Sequence, residues 1–184
     1  MKDKGNKKRV LKVVFVVLLV FFIAAAGGLI WFASDKVSEP YTYVTKQKRT
    51  LSESTFYSNE VVRFPSSANV TKPNSSSGII KVGIDPGTTA LNFGRVFPDM
   101  PVRKYLELKN SEKQSVKVCV RKYGSIAPYL NTSTDSFILE PGQQRSVMVS
   151  FTGKELGSFS GEVDVYIRKL KYPQLTFLLE WVGC

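Results

Sequence analysis

Histidine is absent from the 184 residues. That removes Ser-His-Asp and Cys-His nucleophile systems and the usual zinc sites, all of which need an imidazole as base or ligand. Cysteine is nearly absent too. Cys119 and Cys184 stand too far apart for a Cys-x-x-Cys redox or metal motif. No glycine-rich phosphate loop occurs: Gly83-Ile84-Asp85-Pro86-Gly87 lacks both the spacing and the following helix, and Asp85-Pro86-Gly87-Thr88 reads as a turn. Glu162 and Asp164 lie two apart on one strand face, the spacing of paired acids, yet opposite Val163 and Val165 they read as a solvated face. The sequence therefore implies no catalytic residue, no cofactor, no metal and no small-molecule substrate.

Positive charge is abundant, with a formal net charge of +11, but it is unevenly spread. Lys2, Lys4, Lys7, Lys8, Arg9 and Lys12 crowd the first twelve residues, opposed by Asp3 alone. A basic chain can point to nucleic acid, but here the excess abuts an apolar run, and a membrane explains it better. Val13 to Ala33 carries no charge. As a helix rising about 1.5 Å per residue it spans roughly 31 Å, the thickness of a bilayer core. Basic residues before the run hold residues 1–12 in the cytoplasm as a short tail and send the rest outward. Ala24-Ala25-Ala26 also satisfies the small-x-small pattern of a cleavage site. Cleavage there leaves Gly27-Gly28-Leu29-Ile30-Trp31-Phe32 as an apolar new terminus, so an uncleaved anchor is favoured over a removed signal peptide.

Residues 34–78 are rich in Ser, Thr, Asn and Pro, which predicts a largely solvated stalk. Two short apolar patches in it, Tyr41–Val44 and Glu60–Phe64, are candidates for strands that dock on the following domain. From Ile79 the apolar residues alternate, as half-buried strands require. Val116, Val118 and Val120 form one such set, Val147, Val149 and Phe151 another, and Val163, Val165 and Ile167 a third. Leu175, Phe177, Leu179 and Trp181 suggest a final strand over 174–182, and Val102–Lys109 and Ser136–Leu139 two more. Turns are expected at Asn110-Ser111-Glu112-Lys113, Glu140-Pro141-Gly142 and Thr152-Gly153-Lys154. About seven strands over 79–184, without a convincing helix, predict an all-β fold: an antiparallel sandwich of immunoglobulin size, a barrel being the alternative.

Leu91-Asn92-Phe93-Gly94-Arg95-Val96, followed by Val102-Arg103-Lys104-Tyr105-Leu106-Glu107-Leu108-Lys109-Asn110, resembles the opening of ASH-type domains. These are grouped with major sperm protein and PapD-like domains as immunoglobulin-like sandwiches. Ile138-Leu139-Glu140-Pro141-Gly142 with Val147-Met148-Val149-Ser150-Phe151, and then Gly161-Glu162-Val163-Asp164-Val165, resemble their later turn and strands. The likeness covers about residues 79–169. Phe97-Pro98-Asp99-Met100-Pro101 departs from the usual glycine-containing link. The resemblance implies an architecture and not a partner: the family includes cytoskeletal, adaptor and pilus-chaperone modules, has no shared catalytic site, and no family ligand residue is carried over.

Three further features concern modification and partners. Cys119 and Cys184 are a candidate disulfide in an oxidising compartment, with two free thiols as the alternative. Asn69, Asn74 and Asn131 each open an Asn-x-Ser/Thr triplet and are candidate glycosylation sites. Leu178 and Val182 make the last strand apolar on its second face, a candidate surface for another protein unless the stalk folds back over it. The expected function is a non-enzymatic, membrane-anchored extracytoplasmic subunit that binds other membrane or envelope proteins. A PapD-like chaperone or adaptor binding a client strand is the alternative.

Overall fold

The computed structural model describes residues 12–24, 27–28, 39–72, 89–180 and 183–184. They belong to two units, an N-terminal helical one and a β unit comprising Val37–Glu180 with Cys184. Residues 12–24 and 27–28 are helical. Among the described residues no helix is long and apolar enough to cross a membrane. The uninterrupted helix expected over 13–33 is thus seen only in part, with Ala25, Ala26 and residues 29–33 outside the described residues.

The β unit is all-β and consists of two sheets with nine described strands; seven fall within 79–184, the number expected there, and two precede it. The nine are β1 (Lys48–Glu53), β2 (Tyr57–Val70), β3 (Leu91–Val96), β4 (Val102–Lys109), β5 (Val116–Gly124), β6 (Leu130–Thr132), β7 (Ser136–Leu139), β8 (Gln144–Phe151) and β9 (Gly157–Leu170). The larger sheet runs β1-β2-β9-β5-β7, with β3 also paired to β2; the smaller runs β4-β8-β6. All pairings are antiparallel except β2 with β3.

Residues 48–70, expected to be stalk apart from a candidate docking strand at Glu60–Phe64, form two strands of the larger sheet, the second of which includes Glu60–Phe64. β2 pairs with β9 along its whole length, Tyr57 opposite Leu170 through Val70 opposite Gly157. Its other edge is shared. The β1 pairing ends at Arg63 and the β3 pairing begins at Ser66. Pro65, with no N–H to donate, falls in the gap between those two partners, the one part of that edge where a ladder bond is not missed. The residues from Ile79 to Thr88 at which the domain was expected to open lie outside the described residues.

Period-two alternation places one continuous core between the sheets. Phe64, Ala68 and Val70 of β2, Val163 and Val165 of β9, and Val116, Val118 and Val120 of β5 meet Leu106 of β4 and Val147, Val149 and Phe151 of β8. Aromatic rings fill one part of it: Phe93 and Phe151 lie 5.6 Å apart, and Tyr129 and Phe159 4.6 Å apart, between centroids. Asn110, at the end of β4, is buried and ties the following loop down. Its side-chain amide donates to the Leu139 and Gln114 carbonyls, and its Oδ1 accepts from the Glu112 N–H. In the link after β3, Asp99 takes φ 61°, a left-handed conformation that a short acidic side chain tolerates.

At one end of the β5–β9 pairing Gly124 stands opposite Gly161. A Cβ on Gly161 lies 2.0 Å from the Tyr123 carbonyl oxygen, and one on Gly124 lies 2.6 Å from the Gly161 Cα. Both obstacles are backbone, which cannot swing aside. Gly161→Ala should therefore destabilise the domain by about 2–4 kcal/mol, read as a lower midpoint in urea unfolding.

Candidate functional site

The outer face of the larger sheet was expected to be solvated at Glu162 and Asp164. It is not: both side chains are 0% exposed, and Tyr166 and Arg168 further along β9 are buried beside them. Two segments cover this face. From the N-terminal side, the Val44 N–H donates to Glu162 Oε2 at 2.9 Å, laying residues 43–44 over β9. From the C-terminal side comes the second 3₁₀ helix, η2 (Pro173–Glu180; η1 is Ala127–Tyr129), whose Leu179 is buried and whose Glu180 carbonyl accepts from Lys117 Nζ.

Burying two carboxylates two residues apart demands a counter-charge. Arg63 on the neighbouring β2 supplies it, its Nε 3.4 Å from Asp164 Oδ2 and 3.8 Å from Glu162 Oε1. The compensation is incomplete, because Glu162 Oε1 and Asp164 Oδ1 accept no hydrogen bond. Burial, and then the neighbouring Glu162, push the Asp164 carboxyl up to about 7, against the pull of Arg63 and of the Tyr166 O–H that donates to it. Burial and the nearby Arg168 likewise lower the Lys117 ammonium, with Glu180 opposing. Arg168 also stacks over the Tyr57 ring at 5.5 Å. Both carboxylates lie beneath the covering segments, away from any solvent-borne substrate. Among the described residues no cluster of three or more His, Cys, Asp or Glu could hold a metal ion.

Over 174–180 the expected final strand is η2 instead, and residues 181–182 lie outside the described residues. Alternating apolar residues suit either form, but Pro173 cannot join a ladder, and the chain beyond it must cross the sheet rather than extend its edge. Cys184 shows why. It is bonded to Cys119, a residue on the outer face of β5 that is 1% exposed, with 5.6 Å between the Cα atoms. Arg121 adds a hydrogen bond to the Cys184 carbonyl at 2.6 Å. Leu178 is half-buried within η2, so it is not the outer side of a strand, and Val182 lies outside the described residues. Of the candidate glycosylation sites, Asn69 is exposed on β2 and Asn131 exposed on β6, while Asn74 lies outside the described residues.

A cleft of about 340 Å³ lies between the sheets, lined by the apolar Val62, Phe64, Leu108, Val118 and Ile167 and by the charged Arg49, Glu60, Glu107 and Glu112. Beside it runs β1, whose six residues are all exposed and whose second edge has no strand partner among the described residues. Arg49 is tied to Glu60 across the β1–β2 pair, and Glu53 to Lys171 at 3.0 Å. Sequence reasoning missed β1 because Lys48-Arg49-Thr50-Leu51-Ser52-Glu53 buries nothing and so has no alternation to detect. No protein family, curated protein or solved structure matches this chain.

Two expectations follow. Folding raises the Asp164 carboxyl from an ordinary value near 4 to about 7, so the folded state holds that proton more tightly. Its stabilising contribution is complete below pH of about 4 and is lost as pH rises to about 7. Asp164→Asn lacks this dependence, so the wild type should lose melting temperature relative to the variant between pH 4.5 and 8 in paired thermal melts. The disulfide closes a loop across a sequence separation of 65 residues. Cys184→Ser should cost about 4 kcal/mol by the chain-entropy argument. In urea unfolding, a reductant should bring the wild type down to the variant's midpoint and leave the variant unchanged.

Proposed function

We propose that this chain is a non-enzymatic binding subunit: an extracytoplasmic β-sandwich of immunoglobulin-like type, anchored in a membrane by residues 13–33 with its basic N-terminal tail in the cytoplasm. It serves as a structural or accessory part of a membrane or envelope assembly. One observation carries the binding role. The outer face of the larger sheet is already covered by segments from the two ends of the β unit, while the strand edge at β1 and the cleft beside it stay open. An open edge offers a row of backbone donors and acceptors to another chain, with adjacent pockets giving selectivity. The anchor and its orientation rest on the apolar run and on the basic residues that precede it. The Cys119–Cys184 bond suits an oxidising compartment.

The PapD-like alternative, a chaperone or adaptor holding a client strand, draws on the same edge and on the apolar lining of the cleft. A client-binding edge is long and apolar, whereas β1 has six residues and a single large apolar side chain, Leu51. That favours a subunit over a chaperone.

Protease added to intact cells carrying one epitope in residues 1–12 and another in the β4–β5 loop should destroy the second epitope and spare the first. Protection of both would overturn the topology. Detergent-solubilised full chain should then co-purify stoichiometric partners, whereas a chaperone should release its clients in exchange for a free competing strand.

A further inference from the structure

Resting on the reading of β1 as an open binding edge, we infer that its partner is a second copy of this chain: β1 is a self-complementary edge, built to pair antiparallel with β1 of that copy about a two-fold axis at Leu51. Residues 49, 51 and 53 lie opposite Val62, Glu60 and Ser58 of β2, so they share the sheet face that carries Val62 and Phe64. Thr50 and Ser52 share the opposite face. A two-fold axis normal to a sheet keeps each face on its own side, so only residues of one face can stand opposite each other. This restricts the axis to passing through a residue. Centred on Leu51, Arg49 of each copy stands opposite Glu53 of the other, Leu51 meets Leu51, and Thr50 meets Ser52.

Every facing pair in that register is compatible: two opposite-charge pairs flank one apolar pair, with hydroxyl pairs on the other face. Centred on Thr50, by contrast, Arg49 stands opposite Leu51 and Glu53 opposite Gln47, and no charge is matched. The groups needed are free to engage. Arg49 and Glu53 are 69% and 74% exposed at their side chains. The guanidinium keeps donors beyond those it gives Glu60, and the Glu53 carboxylate can accept from Arg49 as well as Lys171. Leu51, 69% exposed on an unpaired edge, is otherwise the kind of residue that such edges avoid.

A six-residue seam makes a weak dimer, so covalent capture is the fitting test. The native cysteines are bonded to each other, which leaves an introduced thiol unpaired. In detergent-solubilised full chain under copper–phenanthroline, Leu51→Cys should give at least about fivefold more disulfide-linked dimer than Thr50→Cys. The two Cα51 atoms lie about 5 Å apart in this register and the two Cα50 atoms about 8 Å, beyond bridging distance. Adding Arg49→Glu or Glu53→Arg to Leu51→Cys places like charges opposite each other in the homodimer, and each should lose most of its cross-linking. Mixing those two chains restores both charge pairs and should recover it as the mixed dimer. Equal capture at 50 and 51, or charge variants that cross-link as well alone as mixed, would overturn the inference. The position comparison alters no charge, so it stands even where a charge variant folds poorly.

Discussion

The antiparallel pairing of Tyr57–Val70 with Gly157–Leu170 is the constraint on which the remaining strands depend. It sets the length of the larger sheet and presents β9 to β5 on one side and β2 to β1 and β3 on the other. With β9 central, one of its faces supplies Val163 and Val165 to the core, and the other is obliged to carry whatever remains. What remains is polar, and the burial of that second face follows from the two chain segments laid across it.

A central strand with carboxylates on its covered face is costly unless charge is answered by charge. Arg63 answers on the adjacent strand, at 3.4 Å and 3.8 Å, and the Val44 backbone on the covering segment. Removing Arg63 takes away the cation that faces both buried carboxylates and leaves them only the hydrogen bonds from the Val44 N–H and the Tyr166 O–H. The disulfide and the Glu162 hydrogen bond act on the same surface from the two ends of the β unit.

Much of the core was legible because a half-buried strand writes its geometry into the sequence. Val116, Val118 and Val120, or Val147, Val149 and Phe151, alternate as cleanly in the chain as in space. β2 was harder. Its apolar Tyr57, Phe64, Ala68 and Val70 are scattered among Asn59, Pro65, Ser66 and Ser67, a composition shared with linkers, so only Glu60–Phe64 stood out as a candidate strand and the partner strand reveals the full ladder. Leu175, Phe177 and Leu179 alternate too, yet form a 3₁₀ helix, since periodicity over so short a run cannot say where the chain is being led. The two cysteines were legible only as a candidate pair, because number and compartment leave two free thiols equally open and only the fold brings Cys184 to Cys119. The acids could not be called buried, because burial of Glu162 and Asp164 depends on segments distant in sequence.

The same long pairing governs the order in which the molecule can assemble. Partners in β2 and β9 are roughly a hundred positions apart, a high contact order that makes closure slow. The smaller sheet is complete in sequence once Phe151 has emerged, and β1 with β2 can form a local hairpin. Yet β2 and β5 meet only through β9, so the larger sheet stays in halves until residue 170 has left the synthetic machinery. Throughout that interval β2 presents an unpaired edge fourteen residues long. The nascent chain is thus most exposed to misassembly just before its final strand arrives.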